Sequence, residues 1–401
     1  MVIVRFWFKC LNVFALITQL IKVCSNLRAA KNIVLYPHGG FGHTLIAPDW
    51  IRRLYPDEVN VVLFGTWEGR HNKSVPLIWK GTLIMVPMSN FCPGIGLIAD
   101  SEWSETLFQA VGTAMQFLWP EKRIIYFVYD MMDLSTRPDF ISKDKFFASR
   151  MELYYYHLVV MREASKPELP QNIRSSISET ILRVRPQNMP FSCNLYLRSK
   201  GQNVNDLSDI RRNSSSIDKY LQTLRHLNAQ GYQVLITGDI ELPQHLRDEF
   251  SGAVIDWRDV EVSKDLYHLF AGLYTDILIG GLSGGSAYTH IADIPSLIVD
   301  GFSFGEAFPF STVHYKRLRA ADGTMVTPQD LMTKFFFDYD CEGYEIIDNT
   351  SEEILCAVRD WLPHAKSRKS WGIDPKALGV PCPWLNVSQA RLSPTWLEGF
   401  K

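Results

Sequence analysis

The sequence lacks several of the short motifs that identify common classes of site. It has no GxGxxG dinucleotide fingerprint and no GKS or GKT phosphate-binding loop. Its seven cysteines are scattered and form no CxxC pair, which argues against a zinc site or a disulfide framework and favours reduced thiols. The net charge is −2 over 401 residues, so the composition gives no electrostatic reason to expect nucleic-acid binding.

A long uninterrupted apolar run is also missing. The most apolar stretch, residues 10–21, contains Asn12, Thr18 and Gln19 and is too short and too polar for a membrane-spanning helix, which needs about 20 apolar residues. Basic side chains interrupt the first 28 residues, which we predict to form a separate helix. Two interpretations remain open. Residues 1–25 lie in a membrane interface with their basic side chains against headgroups, or the helix packs on the protein's own surface.

What the chain does have is a regular alternation of apolar strands and helices, which begins near Asn32 and starts again near Cys193. Such alternation is typical of α/β folds with a parallel sheet. A chain of 401 residues exceeds one ordinary core. We therefore predict two Rossmann-like domains, at residues 29–185 and 186–401, that face a central cleft. In open α/β sheets, ligands bind beyond the carboxyl ends of the strands.

A glycine-rich turn follows the first predicted strand. Gly39, Gly40 and Gly42 would let the backbone approach a ligand closely, and the helix that follows offers free N–H groups. His43 stands at the exit of this turn, where it could take a proton from a bound hydroxyl. The alternative is that His43 caps the helix or packs locally.

A second turn of glycines and serines joins a strand to a helix in the second half of the chain. Ser283, Gly284, Gly285 and Ser286 would present unpaired N–H groups and hydroxyl donors to a phosphate or diphosphate. The alternative is a tight turn whose glycines serve only close packing of the helix on the sheet.

Charged side chains stand at other strand ends of the second domain. Arg198 and Lys200 follow its first strand, and a guanidinium binds phosphate oxygens through two parallel hydrogen bonds. Gly238 and Asp239 end the next strand and could form the wall of a nucleotide pocket. Asp256 ends the following strand, and the loop after it could edge a base. Glu306 lies just past the last core strand and could accept hydrogen bonds from sugar hydroxyls. Asp130 and Asp133 are too few to indicate a metal site.

Four segments of the second half carry a resemblance to a known family. They are "YLRSKG", "DIRRNSSSIDKYLQTLRHLNAQGYQVLITGD", "DILIGGLSGGSAY" and "ARLSPTWL". In this order they resemble a family of bacterial glycosyltransferases of surface-polysaccharide biosynthesis. The first-domain segment "HGGFGH" is similar to the acceptor loop of other two-domain transferases, in which a histidine is a candidate base. The chain departs from the family pattern in its "SGGS" turn and in its apolar N-terminus.

The resemblance implies a GT-B architecture and a transfer from a nucleotide-diphosphate sugar to a polysaccharide or lipid-linked glycan. Arg198 and the turn at residues 283–286 would hold the diphosphate, and His43 would deprotonate the acceptor, with inversion at the sugar carbon and without a metal or cofactor. The implied location is the cytoplasm or the inner membrane face. Two other functions remain open: a nucleotide-sugar epimerase or hydrolase of the same fold, and a non-catalytic sugar-nucleotide or glycan-binding component of an assembly complex.

Overall fold

A computed structural model describes a large part of the chain, which forms two compact units at Met1–Leu169 and Pro170–Lys401. The described residues are 18, 20–21, 24–38, 43–66, 78–79, 83–87, 101–128, 131–133, 157, 160, 169–199, 214, 216–263, 266–302, 307–334, 341–367 and 370–401. Outside these residues lie five of the predicted site residues, Gly39, Gly40, Gly42, Lys200 and Glu306, as well as Asp130 and the side chain of His43.

The first unit contains a five-stranded sheet in the order β3-β2-β1-β4-β5. Its strands are β1 (Asn32–His38), β2 (Asn60–Thr66), β3 (Leu83–Pro87), β4 (Arg123–Val128) and β5 (Met131–Asp133). The first four are parallel, and β5 is antiparallel to β4. The helices are α1 (Cys24–Ala29), α2 (His43–Leu54) and α3 (Ser101–Leu118).

The helix α3 packs on this sheet at Gly112, where a Cβ would stand 2.7 Å from a methyl group of Leu35. Below it lies an apolar cluster that includes Leu27 of α1, Ile33 of β1 and Met115 of α3. In the helices these residues follow a 3.6-residue period, and in the strands they alternate along one face. The other face of the strands is buried as well, at Val34, Val62 and Ile125, as is usual for a parallel sheet.

The second unit contains a seven-stranded sheet in the order β14-β11-β10-β9-β6-β7-β8. Its strands are β6 (Phe191–Leu197), β7 (Tyr232–Gly238), β8 (Val254–Asp256), β9 (Ile277–Gly280), β10 (Ser296–Gly301), β11 (Ser311–Tyr315) and β14 (Arg391–Leu392). Every neighbouring pair in this sheet is parallel. A separate antiparallel pair is formed by β12 (Arg317–Arg319) and β13 (Glu345–Ile347).

The second unit also contains helices. They are α4 (Gln171–Val184), α5 (Leu221–Ala229), α6 (Gln244–Phe250), α7 (Tyr267–Tyr274), α8 (Ala287–Ile291), α9 (Pro328–Leu331), α10 (Ser351–Trp361), α11 (Pro383–Val387) and α12 (Pro394–Glu398). The best-defined start is that of α10, where Thr350 and Glu353 form a reciprocal capping box. The apolar faces of α5 and α10 pack with Leu195 and Leu197 in one cluster.

The strand order of the second unit places β6 in the middle of the sheet. The chain runs outward through β7 and β8 and then returns to the other side of β6 as β9. The carboxyl ends of β6 and β9 therefore flank the point where the direction of the sheet reverses, and ligands of open α/β sheets bind at such a point.

The predicted α/β class with parallel sheets is confirmed in both units. Two features differ from the sequence-based description. The helix α4, expected in the first domain, lies in the second unit. The residues after α10, for which the apolar pattern of the sequence predicts no strand, contribute the edge strand β14, which pairs with β11. Among the residues that the structure describes, no helix is long and apolar enough to cross a membrane.

Candidate functional site

The carboxyl ends of β6 and β9 are joined by a hydrogen bond between two side chains. The hydroxyl of Tyr196, on β6, donates to Oγ of Ser283, in the turn after β9, at 2.8 Å. The two strands are in register here, with Tyr196 beside Gly280. This bond fixes the Ser283 side chain at the reversal point of the sheet.

The hydroxyl of Ser283 keeps a proton to donate. Its oxygen accepts from Tyr196 and, at 3.4 Å, from the N–H of Gly285, while Ser283 is partly exposed to solvent. A hydroxyl with two acceptor sites filled directs its own O–H elsewhere. Ser283 is therefore the side chain of this turn that can donate to an anion.

The other serine of the turn has a different role. Ser286 is buried, and its hydroxyl donates to the backbone carbonyl of Ser283 at 2.8 Å. The N–H of Ser286 bonds to the same carbonyl at 3.1 Å. Because its proton is used inside the turn, Ser286 stabilises the turn and does not supply the second hydroxyl donor that the sequence pattern led us to expect.

Gly285 is needed for contact with Tyr196. A Cβ at Gly285 would stand 2.7 Å from ring carbon Cε2 and from the hydroxyl oxygen of Tyr196. Real Cβ atoms do not approach so closely, so any side chain here would displace the ring. Gly285 thus serves close packing on Tyr196, and that packing also aligns the Tyr196–Ser283 pair.

Arg198 follows β6 directly and is 9 % exposed. Its positive charge lies near enough to the Tyr196 hydroxyl to oppose the rise in the pKa of that group, which burial causes. The backbone of Arg198 is held by Ser214, whose Oγ accepts from its N–H at 3.0 Å and whose own N–H donates to its carbonyl at 2.7 Å. Ser214 therefore holds both the N–H and the carbonyl group of the Arg198 backbone at the strand end.

Asp239 stands at the end of β7, next to β6 in the sheet. Its carboxylate accepts from the backbone N–H of Ser199, and its charge raises the pKa values of Tyr196 and Tyr267 further, after burial as the main cause. The carboxylate is therefore close to both phenols. An anionic group repels phosphate but accepts hydrogen bonds from sugar hydroxyls, so this side of the site suits a ribose or a hexose.

Two other strand-end residues have structural roles. Gly238 has a φ of 95°, and a Cβ there would stand 2.0 Å from the carbonyl oxygen of Leu197, so only glycine fits. Asp256 is fully buried, and its carboxylate accepts from the N–H groups of Leu242 and Arg258 at 2.8 and 2.9 Å. These bonds occupy the carboxylate, so Asp256 stabilises the loop that follows β8. That this loop edges a base stays a prediction.

Sequence reasoning missed several residues of this region. Tyr196 reads in the sequence as an apolar strand residue, yet its hydroxyl is the link between the two strand ends. His268, on α7, hydrogen-bonds to the backbone of Gly285, and burial lowers its pKa to about 3. The ring of Tyr267 stacks on Trp257, with centroids 4.2 Å apart. The local sequence does not predict these contacts, because they join residues from different strands and helices and depend on the order of the strands in the sheet.

Residues 281–285 also match the GxSxG pattern of serine nucleophiles. That motif places its serine on a strained turn between strand and helix, beside a histidine base. Here Ser283 has an extended backbone, with φ −161° and ψ 158°, and its Oγ is bonded to Tyr196. The geometry therefore does not support a nucleophilic serine.

Within the described ranges, no group of three or more His, Cys, Asp and Glu side chains is arranged to hold a metal ion. The side chains that converge at the reversal point are instead a guanidinium, two hydroxyls and one carboxylate. Such a set suits an anion with an adjacent polyol, since it offers charge and donors on one side and an acceptor on the other.

Comparisons with known proteins give distant likenesses. No family model and no curated protein matches the chain. Among solved structures, it is similar to the E. coli heptosyltransferase WaaC with ADP, at 10% identity and a TM-score of 0.38, over 84% of this chain and 99% of that one. It is also similar to the E. coli ADP-heptose lps heptosyltransferase II, at 10% identity and a TM-score of 0.40, over 73% and 92%.

A third similar structure is the S. aureus MnaA–UDP complex, at 9% identity and a TM-score of 0.34, over 85% of this chain and 91% of that one. At such identities and TM-scores, none of these likenesses decides the reaction.

Proposed function

We propose that the chain is a glycosyltransferase that moves a sugar from a nucleotide-diphosphate sugar to a polysaccharide or lipid-linked glycan. The observation that carries the proposal is the Tyr196–Ser283 hydrogen bond at the reversal point of the second sheet, with Arg198 at the end of the same strand as Tyr196. Strand ends at such a point are where α/β sheets bind nucleotides.

In this proposal the diphosphate lies between Arg198 and Ser283. The guanidinium and the Ser283 hydroxyl donate to phosphate oxygens. Ser214 holds the backbone of Arg198 at the strand end, and Tyr196 orients the Ser283 hydroxyl. Fixed donors of this kind stabilise the charge that develops as the nucleoside diphosphate leaves. Asp239 accepts from a hydroxyl of the ribose or of the transferred sugar. Lys200 and Glu306 keep the expected roles as further donor-site residues.

The acceptor half of the reaction rests on the first unit. The helix α2 begins at His43, after β1 and the glycines Gly39, Gly40 and Gly42. We assign His43 as the base that deprotonates the acceptor hydroxyl, with inversion at the sugar carbon and no need for a metal.

A second candidate, a nucleotide-sugar epimerase or hydrolase, is favoured by one observation. His268 contacts the backbone of Gly285 and is held neutral by burial, so a histidine and the Asp239 carboxylate both lie near the site that we assign to the donor. An enzyme that acts on the donor alone uses such groups around the sugar.

The first experiment is a thermal-shift screen of the purified protein with UDP, GDP, ADP, CMP and dTDP. A ligand that binds only the folded form stabilises it by about 2.7 kcal/mol at a hundredfold excess over its Kd. A shift with one diphosphate supports the donor site and identifies the nucleotide. No shift with any of them contradicts the proposal of a preformed donor site.

Incubation of the matching nucleotide sugar with the protein, without an acceptor, then separates the two candidates. A transferase leaves the sugar nucleotide largely unchanged until an acceptor is added. An epimerase or hydrolase converts it at once, and this result would replace the leading proposal by the second.

A further inference from the structure

Tyr267, the first residue of α7, lies between the end of β7 and the turn after β9. Its ring stacks on Trp257, with centroids 4.2 Å apart, and Nε1 of Trp257 donates to the carbonyl of Gly238, at the end of β7, at 3.3 Å. The ring of His268 lies 3.7 Å from that of Tyr267, and His268 hydrogen-bonds to the backbone of Gly285. Two aromatic neighbours therefore tie Tyr267 to strand ends on both sides of β6.

The support of the Tyr267 ring is itself held in place. The guanidinium of Arg258 lies 5.2 Å from the centre of the Trp257 ring, and its Nη2 donates to the carbonyl of Gly238 at 3.1 Å. Its Nη1 donates to the buried carboxylate of Asp256 at 2.9 Å. Because Trp257 is fixed by these contacts, the Tyr267 ring that stacks on it has a defined position.

The hydroxyl of Tyr267 has no such anchor. In the part of the chain that the structure describes, it makes no hydrogen bond, and it is not among the polar atoms that the protein encloses without a partner. Burial raises the pKa of this phenol, and the nearby Tyr196 hydroxyl and Asp239 carboxylate raise it further. The group is therefore a neutral donor at neutral pH, on a fixed ring, beside the carboxyl ends of β6 and β7.

The neighbouring carboxylate decides which ligand group suits this donor. Asp239 accepts from the N–H of Ser199, and a carboxylate has about four acceptor positions, so it can accept from a ligand as well. A carboxylate repels phosphate. Adjacent hydroxyls of a sugar ring each donate and accept, so a donor and an acceptor that lie close together match a vicinal diol.

We propose that Tyr267 and Asp239 form a diol site, in which the carboxylate accepts from one hydroxyl of a sugar ring and the phenol donates to the adjacent one. The ring is part of a nucleotide sugar, either its ribose or its transferred sugar. This inference rests on the proposed function, because it takes the diphosphate of the same ligand to lie on Arg198 and Ser283. It adds Tyr267 as a residue that determines specificity for the diol.

The test is isothermal titration of the full chain and of Tyr267→Phe. The ligands are UDP, GDP and ADP, their 2′-deoxy and 3′-deoxy analogues, the nucleotide sugars UDP-glucose, GDP-mannose and ADP-glucose, and inorganic diphosphate, which has no diol. The variant should keep the Tm of the parent, because the hydroxyl that it lacks makes no hydrogen bond within the described residues.

The matched control is Tyr232→Phe, at the start of β7 and so at the opposite end of that strand from Asp239. The Tyr232 ring also packs on an aromatic neighbour, Phe191, with centroids 5.2 Å apart. Its hydroxyl likewise makes no hydrogen bond to the residues that the structure describes. Every ligand should bind this control with the Kd of the parent.

The expected loss in Tyr267→Phe is about threefold to tenfold in affinity, the contribution of one hydrogen bond. If the diol is the ribose, the loss appears with the nucleoside diphosphate and is absent with at least one of its deoxy analogues. If the diol is on the transferred sugar, the loss appears only with the nucleotide sugar. In both cases the Kd of inorganic diphosphate is the same in parent and variant.

A parent that binds a nucleoside diphosphate and a Tyr267→Phe variant with the same Kd for every ligand would overturn this inference alone, and the donor site would stand. A parent that binds no nucleotide would overturn the proposed function and this inference with it. A weaker affinity for inorganic diphosphate, equal losses with the ribonucleotide and both of its deoxy analogues, or a lower Tm would show that the hydroxyl contacts another group, and would also overturn the diol site.

Discussion

Tyr196 and Ser283 are 87 residues apart in the sequence, and their hydroxyls are 2.8 Å apart in the fold. Each stands at the carboxyl end of a strand, and these two strands pair because the chain reverses direction across the sheet. The bond places the Ser283 hydroxyl near Arg198, at the point where the direction of the sheet reverses. Each prediction about donor binding below depends on this relationship.

Removing the Tyr196 hydroxyl should have a small structural effect and a larger effect on binding. Tyr196→Phe keeps the ring but breaks the bond to Ser283, which we expect to lower the free energy of unfolding by about 1 kcal/mol. Ser283 then loses its fixed orientation, so the thermal shift with the cognate diphosphate should fall. Urea unfolding and the shift assay measure the two effects. An undiminished ligand shift would remove the pair from the donor site.

Arg198→Ala should weaken binding of the diphosphate by about tenfold to a hundredfold, because a charged hydrogen bond contributes about 1.5–3 kcal/mol. Isothermal titration measures the Kd. The matched control is Arg225→Ala, a surface arginine that pairs with Glu249 at 2.8 Å, and its Kd should equal that of the parent. If both variants bind alike, Arg198 does not contact the diphosphate.

Gly285→Ala should be destabilising for a steric reason alone. Its new Cβ would stand 2.7 Å from the Tyr196 ring, and overpacking of this kind costs about 1–3 kcal/mol. In a Tyr196→Leu background the same substitution should cost much less, because the ring is gone. Chemical denaturation of the four proteins gives this double-mutant cycle. A cost that is equal in both backgrounds would show that Gly285 is required for another reason.

Acid should destabilise the second unit before its carboxylates titrate. Burial lowers the pKa of His290 to about 3 and that of His314 to about 4, from an ordinary 6.5. At a pH between the folded-state pKa of each histidine and 6.5, the unfolded chain binds more protons than the folded one. The free energy of unfolding is therefore highest above pH 6.5 and falls as the pH drops toward 4. Each histidine contributes a slope of up to about 1.4 kcal/mol per pH unit.

His290→Leu tests this directly. The ring stacks on Phe308 at 3.9 Å, and its Nε2 has no hydrogen-bond partner in the described part of the chain. The variant should therefore be at least as stable as the parent at pH 7, and it should lose less stability from pH 7 to pH 5. Urea midpoints at both values measure this. An unchanged slope would mean that His290 is not held neutral.

His43→Ala should keep donor binding and lose turnover. The base acts only on the acceptor hydroxyl, so the Kd of the diphosphate has no reason to change, whereas general-base catalysis contributes about a hundredfold to ten-thousandfold. A product assay with donor and acceptor measures kcat beside the titration. Full turnover in His43→Ala would reject this histidine as the base.

A good part of the fold could be predicted from local sequence. Apolar runs predict strands such as β6, β7 and β9. Thr350 and Glu353, before an apolar stripe, are typical of a capped helix, which is α10. These features depend on residues within one turn or one strand. The edge strand β14 could not be foreseen, because a two-residue strand has no periodicity and exists only through its pairing with β11.

The sequence by itself determined which residues stand at strand ends. Arg198, Asp239 and Ser283 each follow the end of an apolar run, and glycines mark the turns at these ends. Only the tertiary structure decided what those side chains do. It paired β6 with β9, so that Ser283 accepts a hydrogen bond from Tyr196. In the same fold the hydroxyl of Ser286 and the carboxylate of Asp256 make hydrogen bonds to the protein's own backbone. The physical reason is that a strand end is a local property, whereas a hydrogen-bond partner across a sheet depends on strand order, which is set by burial over the whole unit.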